Sequence, residues 1–295
     1  MPAKLPRVRS LLTILLLAAS ALDSARSQPA QPSAPPLASS QAQALVERAL
    51  AAELHTAQDT SHPMRYRLRK SSPRLTSTKE IVETRDGAVA QLVSVYDRPL
   101  TPAEQKTEQA RLDLLLSDPG RQQHRKLGEE GDIGIVLKLL RMLPRAYLYQ
   151  YSGAVVGPSG AVQRFTFRPN PAFSPPDFET QALTAMDGEI WIDAAQERVT
   201  RLEGHLQQDT DYGWGILGKL DKGGWIVIEQ ADVGGRQWRI ARFKMQMNLR
   251  VLFKTRSIDT TEEMTQYTPV PVGIDYRQAI RMLRAGPGAA SPGSR

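Results

Sequence analysis

From residue 160 onward the sequence is a succession of strand patterns with nothing of helical length between them, and this constrains the fold more than any other feature. Parallel neighbours in a sheet need a crossover of a dozen or more residues, whereas antiparallel neighbours need only a turn. Alternation and β-branched or aromatic content place strands at 161–168, 180–186, 188–193, 198–208, 224–232, 236–250, 251–260 and 263–268. Turn signals punctuate them, "DG" at 187–188, "AAQE" at 194–197, "DKGG" at 221–224 and "GG" at 234–235. A βαβ parallel sheet is excluded, and an antiparallel meander is expected.

Within the meander, "RFKMQMNLRVLFK" (242–254) alternates with period two. Phe243, Met245, Met247, Leu249 and Val251 fall on one side, and Lys244, Gln246, Asn248 and Arg250 on the other. Trp191, Trp214, Trp225 and Trp238 lie in the same half of the chain. Methionine is flexible and polarizable and fills irregular space, including adaptable binding surfaces. Such a face is either ordinary core or the lining of a cavity. The shape argument favours a cavity, because a wide curved sheet has a concave apolar face that two or three helices cannot wholly fill.

The helical patterns lie in the N-terminal half. "SQAQALVERALAAELHTAQ" (40–58) is rich in Ala and Leu, with Ser40 as a possible cap and no Gly or Pro. Strands follow near 64–70, 78–85 and 88–96, the last two joined by a tight turn at "RDGA". At 101–120, Thr101, Pro102 and Glu104 form a helix start with a capping box, and "DPG" reads as its stop. The segment 132–143 has a polar stripe of Gly134, Lys138 and Arg141 and is otherwise apolar, a pattern that predicts burial on most sides. Pro144 should end that helix, and Tyr147, Tyr149 and Tyr151 then alternate as a strand. The fold class is α+β, mostly antiparallel β: a curved open sheet, or half-barrel, with two or three helices as a lid.

Residues 1–27 combine basic Lys4, Arg7 and Arg9, a 12-residue apolar run (11–22) and small-residue cleavage sites after Ser20 or Ser27. That is the pattern of a secretory signal peptide, too short to span a bilayer as a stable helix. Residues 28–39 form a Pro/Ala/Ser linker, 40–268 a single half-barrel domain, and 269–295 a C-terminal tail disordered toward its end. A periplasmic or secreted location after cleavage follows. The chain contains no cysteine, which removes disulfides, thiolate metal sites and a lipid-attachment cysteine. The formal charge of +7 falls to about +4 without residues 1–27. No concentrated basic stripe is present, so nucleic acid is not an expected partner. A membrane β-barrel needs eight or more strands of about ten residues, and the helical segments interrupt any such series.

Motifs of catalysis are weak. "GWGILG" (213–218) spells G-x-G-x-x-G, but no helix can start after it to meet a pyrophosphate. The glycines instead let the sheet bend or two backbones approach. His55, His62, His124 and His205 show no paired metal-ligand spacing, and "DTD" (209–211) reads as a turn. Asp187, Glu189 and Asp193 flank "IWI" and offer a carboxylate pair for acid–base work, although such pairs are frequent on solvated strands. No catalytic residue, metal or cofactor is assigned.

The segment "MDGEIWIDAAQERVTRLEG", with Gly188, Ile190, Trp191, Asp193, Val199 and Arg201, together with the order of elements over 40–268, resembles the outer-membrane lipoprotein-sorting group of LolA/LolB-like periplasmic carriers. The charged helix 101–118 and "GWGILGKLDKGGW" depart from that pattern, so lipid or envelope-ligand binding in general is carried forward. The resemblance implies an unclosed barrel around an apolar cavity that holds the acyl chains of a lipid or acylated protein, with helices as its lid. Phe243, Met245, Met247, Leu249 and Val251 would line the concave side under Val136, Leu137 and Leu140, with Lys138 and Arg141 at the rim near anionic head groups. Peripheral membrane contact and a transient envelope protein partner accompany this reading. Two alternatives stand beside it: an envelope scaffold with a filled core, and a hydrolase built on Asp187, Glu189 and Asp193.

Overall fold

A computed structural model describes residues 39–157, 160–177, 179–212, 218–251 and 254–286. The expected signal peptide, the linker up to residue 38, most of "GWGILG", and residues 287–295 lie outside the described residues, and nothing further is said of them. The chain begins with α1 (Ser39–Gln58), then β1 (Met64–Ser71), β2 (Thr76–Val82), β3 (Val89–Val95) and the two-residue β4 (Arg98–Pro99). Two helices follow, α2 (Pro102–Ser117) and α3 (Pro119–Ala146). The meander comprises β5 (Tyr147–Gly157), β6 (Gly160–Pro169), a 3₁₀ turn (Gln181–Ala185), β7 (Met186–Asp193), β8 (Arg198–Leu206), β9 (Thr210–Tyr212), β10 (Gly218–Leu220), β11 (Trp225–Asp232), β12 (Trp238–Val251) and β13 (Lys254–Pro269). A final helix, α4 (Tyr276–Ala285), closes the described chain.

All pairings are antiparallel, in the order β4-β3-β2-β1-β13-β12-β11-β8-β7-β6-β5, with the β9–β10 hairpin on the outer part of β12. The first and last strands do not meet, so the sheet is open. It is also curled. Nine inter-strand steps separate β3 from β5, about 43 Å along the sheet. A methyl added to Gly87, just before β3, would sit 3.2 Å from the Cα of Lys126 in α3. That helix then runs on to Ala146 and directly into β5, and twenty residues of helix cover only about 30 Å. The helix is therefore a chord across an arc, and the face it spans is the concave one.

Two hydrophobic clusters hold the structure. In the first, α1 presents Ala42, Leu45, Val46, Ala49 and Leu50, spaced three or four apart, to Tyr149, Phe165, Phe167, Ile190 and Ile192 of the concave face, joined by Leu143 and Ala146 of α3. In the second, Val82 and Val89 meet Leu112 and Leu115 of α2 and Ala279, Ile280 and Leu283 of α4. Pairing registers put Val82 on the opposite face from the first cluster, so the helices divide between the two sides of the sheet.

Several expectations change. The "DPG" triplet does not stop the helical region: Asp118 closes α2 through its N–H to Leu114 O (3.0 Å), and Pro119 opens α3 at once. Proline is favoured in the first turn of a helix as much as after its end. Pro144 lies inside α3, which continues two residues further to Ala146. Segment 132–143 was expected to be buried on most sides, yet residues 130–136 are all exposed, because a chord touches the sheet only at its ends. Most of 180–186 is a 3₁₀ turn rather than a strand, Val251 ends β12, and the two strands expected at 251–260 and 263–268 are replaced by the single β13, Lys254–Pro269. The tail from 269 contains α4, capped by Asp275 and Gln278 and buried through Tyr276, Ala279, Ile280 and Leu283, so the domain extends past residue 268.

Candidate functional site, the concave face

The registers arrange apolar side chains into continuous rows. One runs Phe243–Ile228–Leu202–Ile190–Phe165–Tyr151 across β12, β11, β8, β7, β6 and β5. The next runs Met245–Ile226–Gly204–Gly188–Phe167–Tyr149 through the same strands. Burial falls off along the first row. Phe165 and Ile190 are fully buried beneath the helices, whereas Leu202, Ile228 and Phe243 are half-buried. Phe243, Met245, Met247 and Leu249 thus extend the core's own face but belong to neither cluster. The side chain of Val251 lies outside the described residues.

Above this floor the middle of α3 packs against little. Leu127 is 60% exposed and Val136 52%, with Ile133 and Ile135 also exposed. A methyl added at Gly128, Gly131 or Gly134 would meet nothing within 4 Å beyond the helix's own backbone. Leu137 is half-buried, while Leu140 packs on the first cluster. An apolar floor and an apolar, uncovered stretch of helix therefore lie on the same concave side.

The polar boundary differs from the sequence expectation. Lys138 pairs with Asp177 (2.9 Å) and Glu179 (3.3 Å), hydrogen bonds that hold its ammonium charged beyond the ordinary lysine range and depress Asp177 in turn. Its charge is already committed. Arg141 is exposed on α3. On β13 the residues facing the floor are Glu262, Thr260, Ile258 and Arg256, opposite Phe243, Met245, Met247 and Leu249. Glu262 pairs with Lys70 at 2.6 Å, Arg256 is exposed, and Thr260 is buried with its Oγ1 lacking a hydrogen-bond partner. Sequence reasoning passed over Arg256 and Thr260, although the alternation of "KTRSIDT" (254–260) carries the signal.

The "GEIWID" segment is structural in each position. Gly188 faces Gly204 across β7 and β8, and a methyl there would collide with the Glu203 carbonyl and the Phe167 ring. Ile190 and Val199 are core, and Trp191 lies between the guanidinium groups of Arg164 (4.9 Å) and Arg201 (5.6 Å) on the outer face. Asp193 is buried and accepts from the backbone N–H groups of Ala195 and Gln196, shaping the turn to β8. Glu189 pairs with Arg164 and accepts from Trp191 Nε1, and Asp187 accepts from Gln207. The three carboxylates are thus each held by a local structural partner. Another cluster, Asp59, Ser61 and His62, superficially suggests a triad. Both Asp59 and Ser61 contact the same ring atom, His62 Nδ1 (2.6 and 2.9 Å), whereas a triad uses both ring nitrogens.

The outer face contrasts with the concave one. Arg69 pairs with Asp97 and Glu263, Arg242 with Glu263 and Glu229, Arg201 with Glu229 and Glu203, and Glu203 with His205. Charges alternate across five strands. Among the described residues no helix is long and apolar enough to cross a membrane, and no group of three or more His, Asp or Glu side chains could hold a metal ion.

No family model and no curated protein matches the chain. A solved structure with a distant similarity of fold is a domain assigned to outer membrane lipoprotein sorting from Vibrio parahaemolyticus. It covers 81% of this chain and 98% of its own, at 9% identity and a TM-score of 0.32. A likeness this remote carries no weight on ligand or activity, and the reading below rests on the geometry of the chain itself.

Proposed function

We propose that this protein binds the apolar tail of a lipid or acylated molecule non-covalently on the concave face, between the floor of β11–β13 and the middle of α3. The observation that carries the reading is the mismatch between composition and packing: Ile133, Ile135 and Val136 stay exposed on α3 while Phe243, Met245 and Met247 lie half-buried on the face it spans. Each methylene buried there gains about 0.8 kcal/mol, so an acyl chain needs no catalytic group to be held. Thr260 Oγ1 supplies a polar contact within the floor, and Arg256 a cation at its margin. The Lys138 charge is already neutralised and serves the scaffold. An exported location and transient delivery to an envelope partner accompany this reading.

The test is native mass spectrometry of the purified protein, with organic extraction of whatever accompanies it. A lipid mass near stoichiometry, lost in the Met247→Asp variant with its circular dichroism retained, is the expected result. An apo mass that stays unchanged after incubation with phospholipid vesicles would overturn the carrier reading in favour of a scaffold.

A further inference from the structure

Buried polar side-chain atoms in a folded chain are nearly always hydrogen-bonded, so each exception needs an explanation. Thr260 is such an exception on the floor of the concave face. It is 7% exposed, and its Oγ1 is buried without a hydrogen-bond partner among the described residues. The register places it directly opposite Met245, in the row that continues through Ile226 to Gly204. On the other side, the pairing of β13 with β1 ends at Thr261 and Ser71, one residue short of it. One cross-strand neighbour is thus a thioether, a weak acceptor, and the other is missing.

Strand propensity does not account for the hydroxyl. Valine is branched in the same way, favours strands as well and leaves nothing unpaired. A buried hydroxyl without a partner bears its full desolvation penalty. The penalty is relieved only when something else supplies the acceptor.

We propose that Thr260 selects the ligand of the concave face, its hydroxyl donating to a neutral acyl carbonyl at the head of the apolar chain. The inference rests on the lipid-binding reading above and adds a chemical class: a chain linked through its carbonyl, rather than an alkyl chain or a free fatty acid. An alkyl chain lacks the carbonyl acceptor. A free carboxylate at the same depth would be a buried charge in need of a cation, and Lys70, the cation on this face of β1, is already matched by Glu262 at 2.6 Å. Met245 beside the hydroxyl is flexible and yields to an incoming group. The chain then runs over Met245 and Ile226, with its head group on the side of Arg256, which is exposed on the same face of β13.

Two probes titrated into the purified protein test this: lauroyl lysophosphatidylcholine, which has an ester carbonyl, and its dodecyl ether analogue, which differs at that carbonyl alone. Calorimetry below the micellar concentration should show wild type holding the ester about tenfold more tightly. Thr260→Val should bind the two alike and melt no lower than wild type without ligand, while Thr260→Ser keeps the preference. Thr260→Ala takes the place of the valine variant if that one misfolds. Thr210→Val, the same change at another buried hydroxyl without a partner and three strand pairings away, should keep the preference too. Equal binding of both probes by wild type, or a preference that survives removal of the Thr260 hydroxyl, overturns this assignment and leaves the lipid reading standing. Failure to bind either probe overturns that reading, and the assignment with it.

Discussion

Glu53 is the residue that best shows how α1 is fixed to the sheet. It continues the apolar stripe of the helix yet is a carboxylate only 8% exposed. Burial is tolerable because four donors converge on it: Arg198 Nε and Nη2 (2.8 and 2.9 Å), the Val199 N–H (3.0 Å) and Gln230 Nε2 (3.0 Å). Removing it leaves a nearly buried guanidinium unpaired, so Glu53→Ala should cost about 3 kcal/mol in urea denaturation. Gly188 is the second sensitive point. Gly188→Ala forces a methyl against the backbone of the neighbouring strand, and a loss of about 3 kcal/mol is expected from strand displacement. If either variant unfolds at the wild-type midpoint, the contact does not stabilise the fold as described.

At the scale of elements, α3 separates what could be read from what could not. The apolar content of 132–143 correctly marks a helix, but the same content reads alike whether a helix is packed or stands clear as a chord. The deciding quantity is a distance between remote strands, which no local pattern encodes. Alternation in 242–250 likewise gives the strand and its two faces, while the reach of α1 and α3 decides how far along the row burial extends. The helix α4 was legible in principle, through Asp275, Gln278 and the spacing of Ala279, Ile280 and Leu283, but ten residues beside a Gly/Pro-rich end give a short signal. The open surroundings of α3 yield a prediction. Gly131→Ala and Gly134→Ala replace helix-interior glycines with nothing nearby to obstruct a methyl, and each should raise stability by about 0.8 kcal/mol. A loss in thermal melts would mean that this stretch packs closely against something.

Across the whole molecule, the concave face is mainly apolar from β12 to β5 while the outer face from β1 to β8 carries a row of ion pairs, and the paired carboxylates govern the response to acid. Arg69 depresses Asp97, and Arg201 with His205 depresses Glu203, through hydrogen bonds to the ionised form. Arg98 and Thr101 bring Glu104 down to about 2. A carboxylate whose folded value lies below its unfolded one stabilises above the unfolded value, and that contribution disappears as pH falls through the folded one. The melting temperature should therefore decline as pH drops from about 4.5 toward 2. Glu104→Gln should make that decline shallower; an unchanged slope would show that the Arg98 pairing contributes nothing to folding.

The chord also has a topological consequence. A strap fastened at both ends and clear of the surface beneath it works like a belt loop: a long, thin object passes through endwise while the strap stays shut. A chain-like molecule lodged there would load and unload by sliding parallel to the strands, with no hinge, latch or swinging door. Pinning α3 in place by cross-linking its two anchorages would then leave exchange rates untouched, whereas capping the ends of the passage would stop traffic altogether.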